Sequence, residues 1–273
     1  MKNLIKNDVS ILMSIHQRRD IELKFSSVIE SIYKNTFIPK KFLLLIDGPI
    51  NKNFEKSILK LKKKFNFEIY HHYKNIGLAK ILNIGLKKIN TKWVIRVDGD
   101  DINLPNRFQN LVENINPNIS VIGSYTEEIS NKKKTRIKKV PINNIQIKKF
   151  LKYRNPFNHN SVMYQVEHVL KVGGYPDLFL KEDYGLWVKL LSKKYYGLNI
   201  PEVLVQVSFN DDSYKRRSGF KYLKSDLELV RLQYQEKLIN IIEFFILTLL
   251  RILYAILPQF SKKFLYDFLR SKT

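Results

Sequence analysis

The sequence predicts an α/β protein with a mainly parallel sheet flanked by helices, and three observations carry that prediction. Near-continuous apolar runs of strand length recur in the N-terminal part. They alternate with segments of helical spacing, and several end on an aspartate or glycine turn. A strand covered on both faces needs apolar side chains on both, so its sequence does not alternate. Strands and helices taking turns along the chain are what right-handed crossover connections produce.

The first run is Val9 to Ile15, VSILMSI, followed by a polar loop from His16 to Asp20. Ile21 to Tyr33 has helical spacing through Leu23, Val28, Ile29 and Ile32. Phe42 to Ile46 is the second strand, closed by the turn residues Asp47, Gly48 and Pro49. A lysine-rich helix, Phe54 to Phe65, leads to a third strand around Phe67 to His71. Asn75 to Leu78 turns into a helix ending near Ile89, and Trp93 to Val97 is the fourth strand. Four strand-to-helix repeats make residues 1–101 the nucleotide-binding half of a domain covering 1–212.

In the second half, 102–212, Pro105 is expected to open a helix reaching Ile115. Ser120–Ile129 and Lys138–Val140 read as strands joined by a basic tip, Asn131 to Arg136. Ile142 to Tyr153 reads as helix, and Arg154 to Met163 as a polar segment containing His159. After Gly173 and Gly174 comes a helix whose buried face is Tyr184, Trp187, Val188 and Leu191. Glu182 and Asp183 fall in its first turn, where acids also serve simply to complement the helix dipole. Asn199 to Phe209 closes the domain as a strand.

Residues 213–273 are expected to form a basic, amphipathic helical tail. Leu238 to Leu257 approaches the length of a membrane span. However, Glu236, Asn240, Glu243 and Arg251 lie roughly along one face, which favours a helix lying in the membrane interface. Pro258 ends it. A second helix would set Phe260, Phe264 and Phe268 against Lys263, Asp267 and Arg270. Lys215, Arg216, Arg217, Lys221 and Lys224 precede the pair and would meet anionic headgroups. Packing of both helices on the domain or on a second subunit is the plainer alternative.

With 44% apolar and 27% charged residues, the chain supports a folded core. It contains no cysteine, which excludes disulfides, zinc–thiolate sites and thiol catalysis. The net charge of +23 asks for an anionic partner, and nucleic acid, anionic lipid and a phosphorylated substrate all qualify. The apolar run near the N-terminus is too short for a signal peptide, so export is not expected.

Chemistry concentrates at KWVIRVDGDD, residues 92–101, where Asp98, Asp100 and Asp101 crowd one strand end. Such carboxylates repel unless a cation neutralises them, and an oxygen-only set suits Mg²⁺ or Mn²⁺. Ligands of open α/β sheets sit beyond the carboxyl ends of the strands, where this cluster would lie. An acidic surface turn is the ordinary alternative. A lone His159, likewise, is more often a hydrogen-bonding structural residue than a catalyst.

Taken in order, VSILMSI, IDGP, NIGLAKILNIGL, RVDGDDINLPNRF, NPFNHNSVM and GGYPDLFLKEDYGLWVKLL resemble the family 2 glycosyltransferases of GT-A (Rossmann-like) fold. The likeness, over about residues 8–210, is to bacterial exopolysaccharide, capsule and lipopolysaccharide enzymes of the amylovoran-biosynthesis type. It implies an inverting, metal-dependent transferase. Such an enzyme uses a nucleoside diphosphate sugar, expected to be UDP-linked, and a glycan acceptor, expected to be lipid-linked. The resemblance makes Asp98 the ribose-side residue of a DxD motif and Asp100 the ligand of a divalent metal, Mn²⁺ or Mg²⁺, helped by Asp101. It assigns Asp47 to the nucleobase and Lys80 to the diphosphate, with Arg96 just ahead of the metal cluster. His16 stands where the family offers an aromatic ring to the base. Asp183 of the ED motif becomes the general base, Glu182 orients the acceptor, and His159 belongs to the acceptor or diphosphate region. The implied setting is cytoplasmic, peripheral on the inner face of the cell membrane, with the tail on anionic lipid.

A sugar-phosphate nucleotidyltransferase would also need a nucleotide pocket and acidic metal site, but HQRRDIE lacks the glycines of its usual phosphate loop. A basic nucleic-acid-binding protein accounts for the charge alone, and no helix-turn-helix, zinc finger or aromatic RNA-binding signature accompanies it.

Overall fold

The computed structural model describes residues 8–130, 135–193, 195–209, 219–258 and 261. The strands are β1 (Val9–Ile15), β2 (Lys41–Asp47), β3 (Glu68–His72), β4 (Trp93–Asp98), β5 (Ile102–Asn103), β6 (Ile119–Ser130), β7 (Thr135–Lys138), β8 (Met163–Gln165) and β9 (Tyr196–Phe209). They form one sheet in the order β3-β2-β1-β4-β8-β6-β9-β5, with β7 alongside β6. The first four are mutually parallel; Ile11 of β1 lies beside Phe42 of β2 and Ile95 of β4. Three helices connect them: α1 (Arg19–Tyr33), α2 (Lys52–Lys64) and α3 (Leu78–Lys88).

Burial on both sides explains the continuous apolar runs. Ile11 and Met13 pack with Phe25 and Val28 of α1 and Phe54 of α2. Leu12 points the other way, towards Leu45, Leu82 of α3 and Trp187. Helix α3 approaches the sheet closely at Gly85, where an added Cβ would stand 2.6 Å from Leu45 and 2.8 Å from Leu12. Leu23, expected on the inner face of α1, is exposed instead, and Phe25 fills that role.

The repeat pattern stops at β4. No helix follows it before the acidic turn, and the next, α4 (Arg107–Glu113), starts after Pro105 rather than at it. Strand β8 runs antiparallel to both β4 and β6, so the sheet is mixed. Strand β7 ends at Lys138 instead of running from Lys138 to Val140, because its ladder with β6 joins Thr126 to Lys138 and Ile129 to Thr135. The rest of the second half is α5 (Asn144–Leu151), a 3₁₀ turn His159–Ser161, α6 (Val166–Lys171) and α7 (Glu182–Leu191). Most of the basic tip, Asn131 to Lys134, is outside the described residues.

The apolar run of the tail is split. Helix α8 (Phe220–Gln235) ends before Lys237, which has φ 57°, and α9 (Ile241–Ile256) starts afresh. The new start is a capping box in which the side chains of Asn240 and Glu243 each accept the other's backbone N–H. Sixteen residues span about 24 Å at 1.5 Å per residue, and no described helix is long and apolar enough to cross a membrane. Lys215 to Arg217, together with Phe260 and Lys263 to Arg270 of the second amphipathic segment, lie outside the described residues.

Candidate active site at the carboxyl ends of the strands

The parallel register brings the expected donor residues to one edge. Ser14 of β1 is level with Leu45 of β2 and Asp98 of β4, so the loop after β1, Asp47 and the acidic turn share one end of the sheet. Asp47 is buried, and its two carboxylate oxygens accept the backbone N–H groups of Ile76, at 2.8 Å, and Gly77, at 3.0 Å. It thereby clamps the turn into α3. Gly48 follows with φ 95°, and a Cβ there would stand 3.0 Å from the backbone nitrogen of Asn75.

Each acid of the cluster has its own partner. Asp98 takes the Arg96 guanidinium at 2.5 Å. Burial pushes the Asp98 carboxyl up, but Arg96 with His159 outweighs it and holds the group below its ordinary value. Asp100 is paired with Arg18 of the loop after β1, and Arg18 also holds Asp20 at 2.6 Å. Burial and the neighbouring Asp98 nevertheless raise Asp100. Asp101 is buried, bonded by the Asn160 amide, and pushed well above the usual carboxylate range by burial and its two acidic neighbours.

These contacts revise three expectations. The repulsion expected to require a metal is relieved in part by Arg18 and Arg96. Arg96 is fully buried, and its guanidinium is taken up by Asp98. Asp101 is buried too, on Asn160. Among the described residues no group of three ligating side chains forms a ready cage. What fits a hard divalent ion is narrower: Asp98 and Asp100 are both part-exposed, and each gives one oxygen to an arginine, leaving the other. An ion held by two carboxylates takes its remaining ligands from phosphate and water, as Mg²⁺ commonly does. Lys80 is exposed and paired with Asp177 at 2.9 Å. His16 is half-buried in the same loop as Arg18; burial and Arg18 lower its pKa, which leaves a neutral ring.

On the acceptor side, Glu182 and Asp183 open α7. One oxygen of Asp183 accepts the Asn155 amide at 2.6 Å and the other the Tyr184 N–H at 2.7 Å. His159 bonds the Tyr175 hydroxyl at 3.0 Å, which donates on to Tyr164 at 3.1 Å. Burial, followed by Arg96, pushes the His159 imidazole down to about 4, so it is neutral near pH 7. Asp183 and Asp98 both act electrostatically on that ring. Two motifs far apart in sequence are also tied to the segment that carries His159, Asp183 through Asn155 and Asp101 through Asn160. Arg18, Asn155 and Asn160, which no sequence pattern marked, hold Asp100, Asp183 and Asp101 in place.

Burial and then Asp183 raise the Glu182 carboxyl to about 7. A folded-state pKa above the ordinary 4.5 means the native protein binds this proton more tightly than the unfolded chain. The stabilisation is complete below the ordinary value and is lost as pH rises through about 7. Wild-type protein is expected to lose ground against Glu182→Gln in melting temperature between about pH 5 and about pH 8. A difference in Tm that stays constant across that range would refute the assignment.

Comparison with known proteins adds an independent line. Residues 10–173 match the model for glycosyl transferase family 2. The chain is 35% identical to the UDP-Gal:alpha-D-GlcNAc-diphosphoundecaprenol beta-1,3-galactosyltransferase of Escherichia coli, over 94% of each chain. It is 30% identical to the amylovoran biosynthesis glycosyltransferase AmsE of Erwinia amylovora, over 94% of this chain and 97% of that one. Its fold is similar to that of S. aureus TarS 1–349 in complex with UDP-GlcNAc, with TM-score 0.65 and 13% identity over 84% of this chain and 69% of the other.

Proposed function

Since the chain belongs to glycosyl transferase family 2, a glycosyltransferase of polysaccharide biosynthesis, we propose that it moves a hexose from a UDP-sugar to a lipid-diphosphate-linked glycan with inversion. The observation that carries this reading is that one short segment bonds both motifs, Asp183 through Asn155 and Asp101 of the acidic turn through Asn160. A carboxylate assigned to the acceptor and the turn assigned to the donor are thus held by the same stretch of chain. The E. coli relative supports the substrate class, because its name gives a UDP donor, a diphosphoundecaprenol acceptor and a β product. A single displacement on an α-linked nucleotide sugar yields β.

In this mechanism Asp47 accepts a hydrogen bond from the nucleobase through lone pairs its backbone contacts leave free, and His16 lies against the base. Asp98, steadied by Arg96, receives the ribose hydroxyls. Asp98 and Asp100 would hold a divalent metal, which when bound supplies a Lewis acid for the charge on the departing diphosphate. Lys80 approaches that diphosphate if it leaves Asp177. Asp183, oriented by Asn155, removes the acceptor hydroxyl proton as the oxygen attacks the anomeric carbon. Glu182 orients the acceptor, and the neutral His159 offers its ring to the acceptor or diphosphate without adding charge. The work is done at the inner face of the cell membrane, where the lipid acceptor is anchored.

Incubating the protein with individual UDP-sugars, Mn²⁺ or Mg²⁺ and a lipid-diphosphate-linked sugar is expected to release UDP and lengthen the acceptor. Release of pyrophosphate from a nucleoside triphosphate and a sugar phosphate, with no UDP from any nucleotide sugar, would replace this reading with nucleotidyl transfer.

A further inference from the structure

Helix α9 is amphipathic with its polar side turned inwards. Glu243 reaches the body of the protein through Lys152 at 2.8 Å. Arg251 lies 3.7 Å from Asp226 of α8 and donates to the Tyr153 carbonyl at 3.4 Å. Leu247 is buried against Val230 and Ile239. The polar stripe that the sequence would have put in water is thus consumed by the protein. What faces outwards is Ile242, Phe245, Ile246, Leu249, Leu253 and Ile256, from 46% to 73% exposed. Their spacing of three and four residues makes one continuous apolar stripe along the helix. Contiguous exposed apolar surface of this kind marks an interaction site.

We propose that the outer face of α9 is a docking surface for an anionic bilayer, which it enters lying flat. Two observations select this occupant over a second copy of the chain. A net charge of +23 makes two copies repel, whereas it draws the chain as a whole to anionic headgroups. The helix is also wired to the acceptor side: Asp226, which Arg251 approaches, pairs with Lys181 at 2.8 Å, and Lys181 immediately precedes Glu182 and Asp183. Seating α9 on a membrane therefore fixes to the bilayer, through two ion pairs, the start of the helix that carries Glu182 and Asp183, and a lipid-linked acceptor presents its sugar at such a surface. That purpose rests on the acceptor reading given above, although the binding itself does not.

The test is sedimentation of the full-length protein with vesicles of phosphatidylethanolamine and phosphatidylglycerol, without any sugar donor. The triple variant Ile242→Gln, Phe245→Gln, Leu249→Gln changes only exposed side chains. Its vesicle partition is expected to fall at least about tenfold, while its affinity for UDP stays that of wild type and reports an intact fold. Wild-type binding is also expected to weaken on phosphatidylcholine vesicles and at high salt. Equal partition of the variant and wild type would overturn the proposal. So would a wild-type dimer in solution that the substitutions split while neither form binds vesicles. Vesicle binding without transfer to a lipid-linked acceptor counts against the acceptor reading alone.

Discussion

Replacing Asp183 by Asn is expected to lower turnover by about 10²- to 10⁴-fold, the range a general base contributes, with little change in stability. The substitution keeps the size of the side chain and an acceptor for the Tyr184 N–H, which lies 2.7 Å from Asp183. The Asn155 amide, 2.6 Å away on the other oxygen, can turn to present its own carbonyl by giving up the long bond, 3.2 Å, that this oxygen accepts from the Phe157 N–H. What is lost is a group that takes a proton. The loss should fall on kcat, measured with saturating donor and acceptor, while the Kd for UDP is unchanged. Near-wild-type turnover of folded Asp183→Asn would remove it from the base role.

The second large effect is at Asp100. Asp100→Ala takes away one of two carboxylates with an oxygen to spare and releases Arg18 from its ion pair. Transfer is expected to fall by roughly 10²- to 10³-fold, the scale of losing an electrostatic stabiliser of a leaving group. A readout independent of catalysis is the gain in UDP affinity on adding Mn²⁺, which should be present in wild type and nearly absent in the variant. An equal Mn²⁺ gain in both proteins would place the metal elsewhere.

The parallel half of the sheet was legible because its cause is local. Strands such as Val9–Ile15 are covered on both faces, so nearly every side chain is apolar. The positions of Asp47 and Asp98 at strand ends and of Asp183 in the first turn of a helix were legible for the same reason, because each follows from the local pattern. Their partners were not. Arg18 meets Asp100 across 82 residues, Asn160 meets Asp101 across 59, and Asn155 meets Asp183 across 28. Nothing local distinguishes those side chains from other polar residues in loops. The expectation of a neutralising cation came from counting carboxylates, and nothing local showed that Arg18 would reach Asp100. The break in the tail was different, since Asn240 followed three residues later by Glu243 is a start signal written in the sequence. The length of the apolar run concealed it.

The buried pair of Lys181 and Asp226 bears on how the protein can be shortened for handling. Both side chains are at most 10% exposed, so losing either partner strands a charge out of water. Cutting ahead of Phe220 to discard the greasy end would remove Asp226 with the whole helix that covers Lys181, and would take Leu229 out of the core it shares with Trp187. A cut between Lys237 and Asn240 removes the sticky helix but keeps that pair. The two truncations look alike on a sequence map, and only the later one should yield a protein worth assaying.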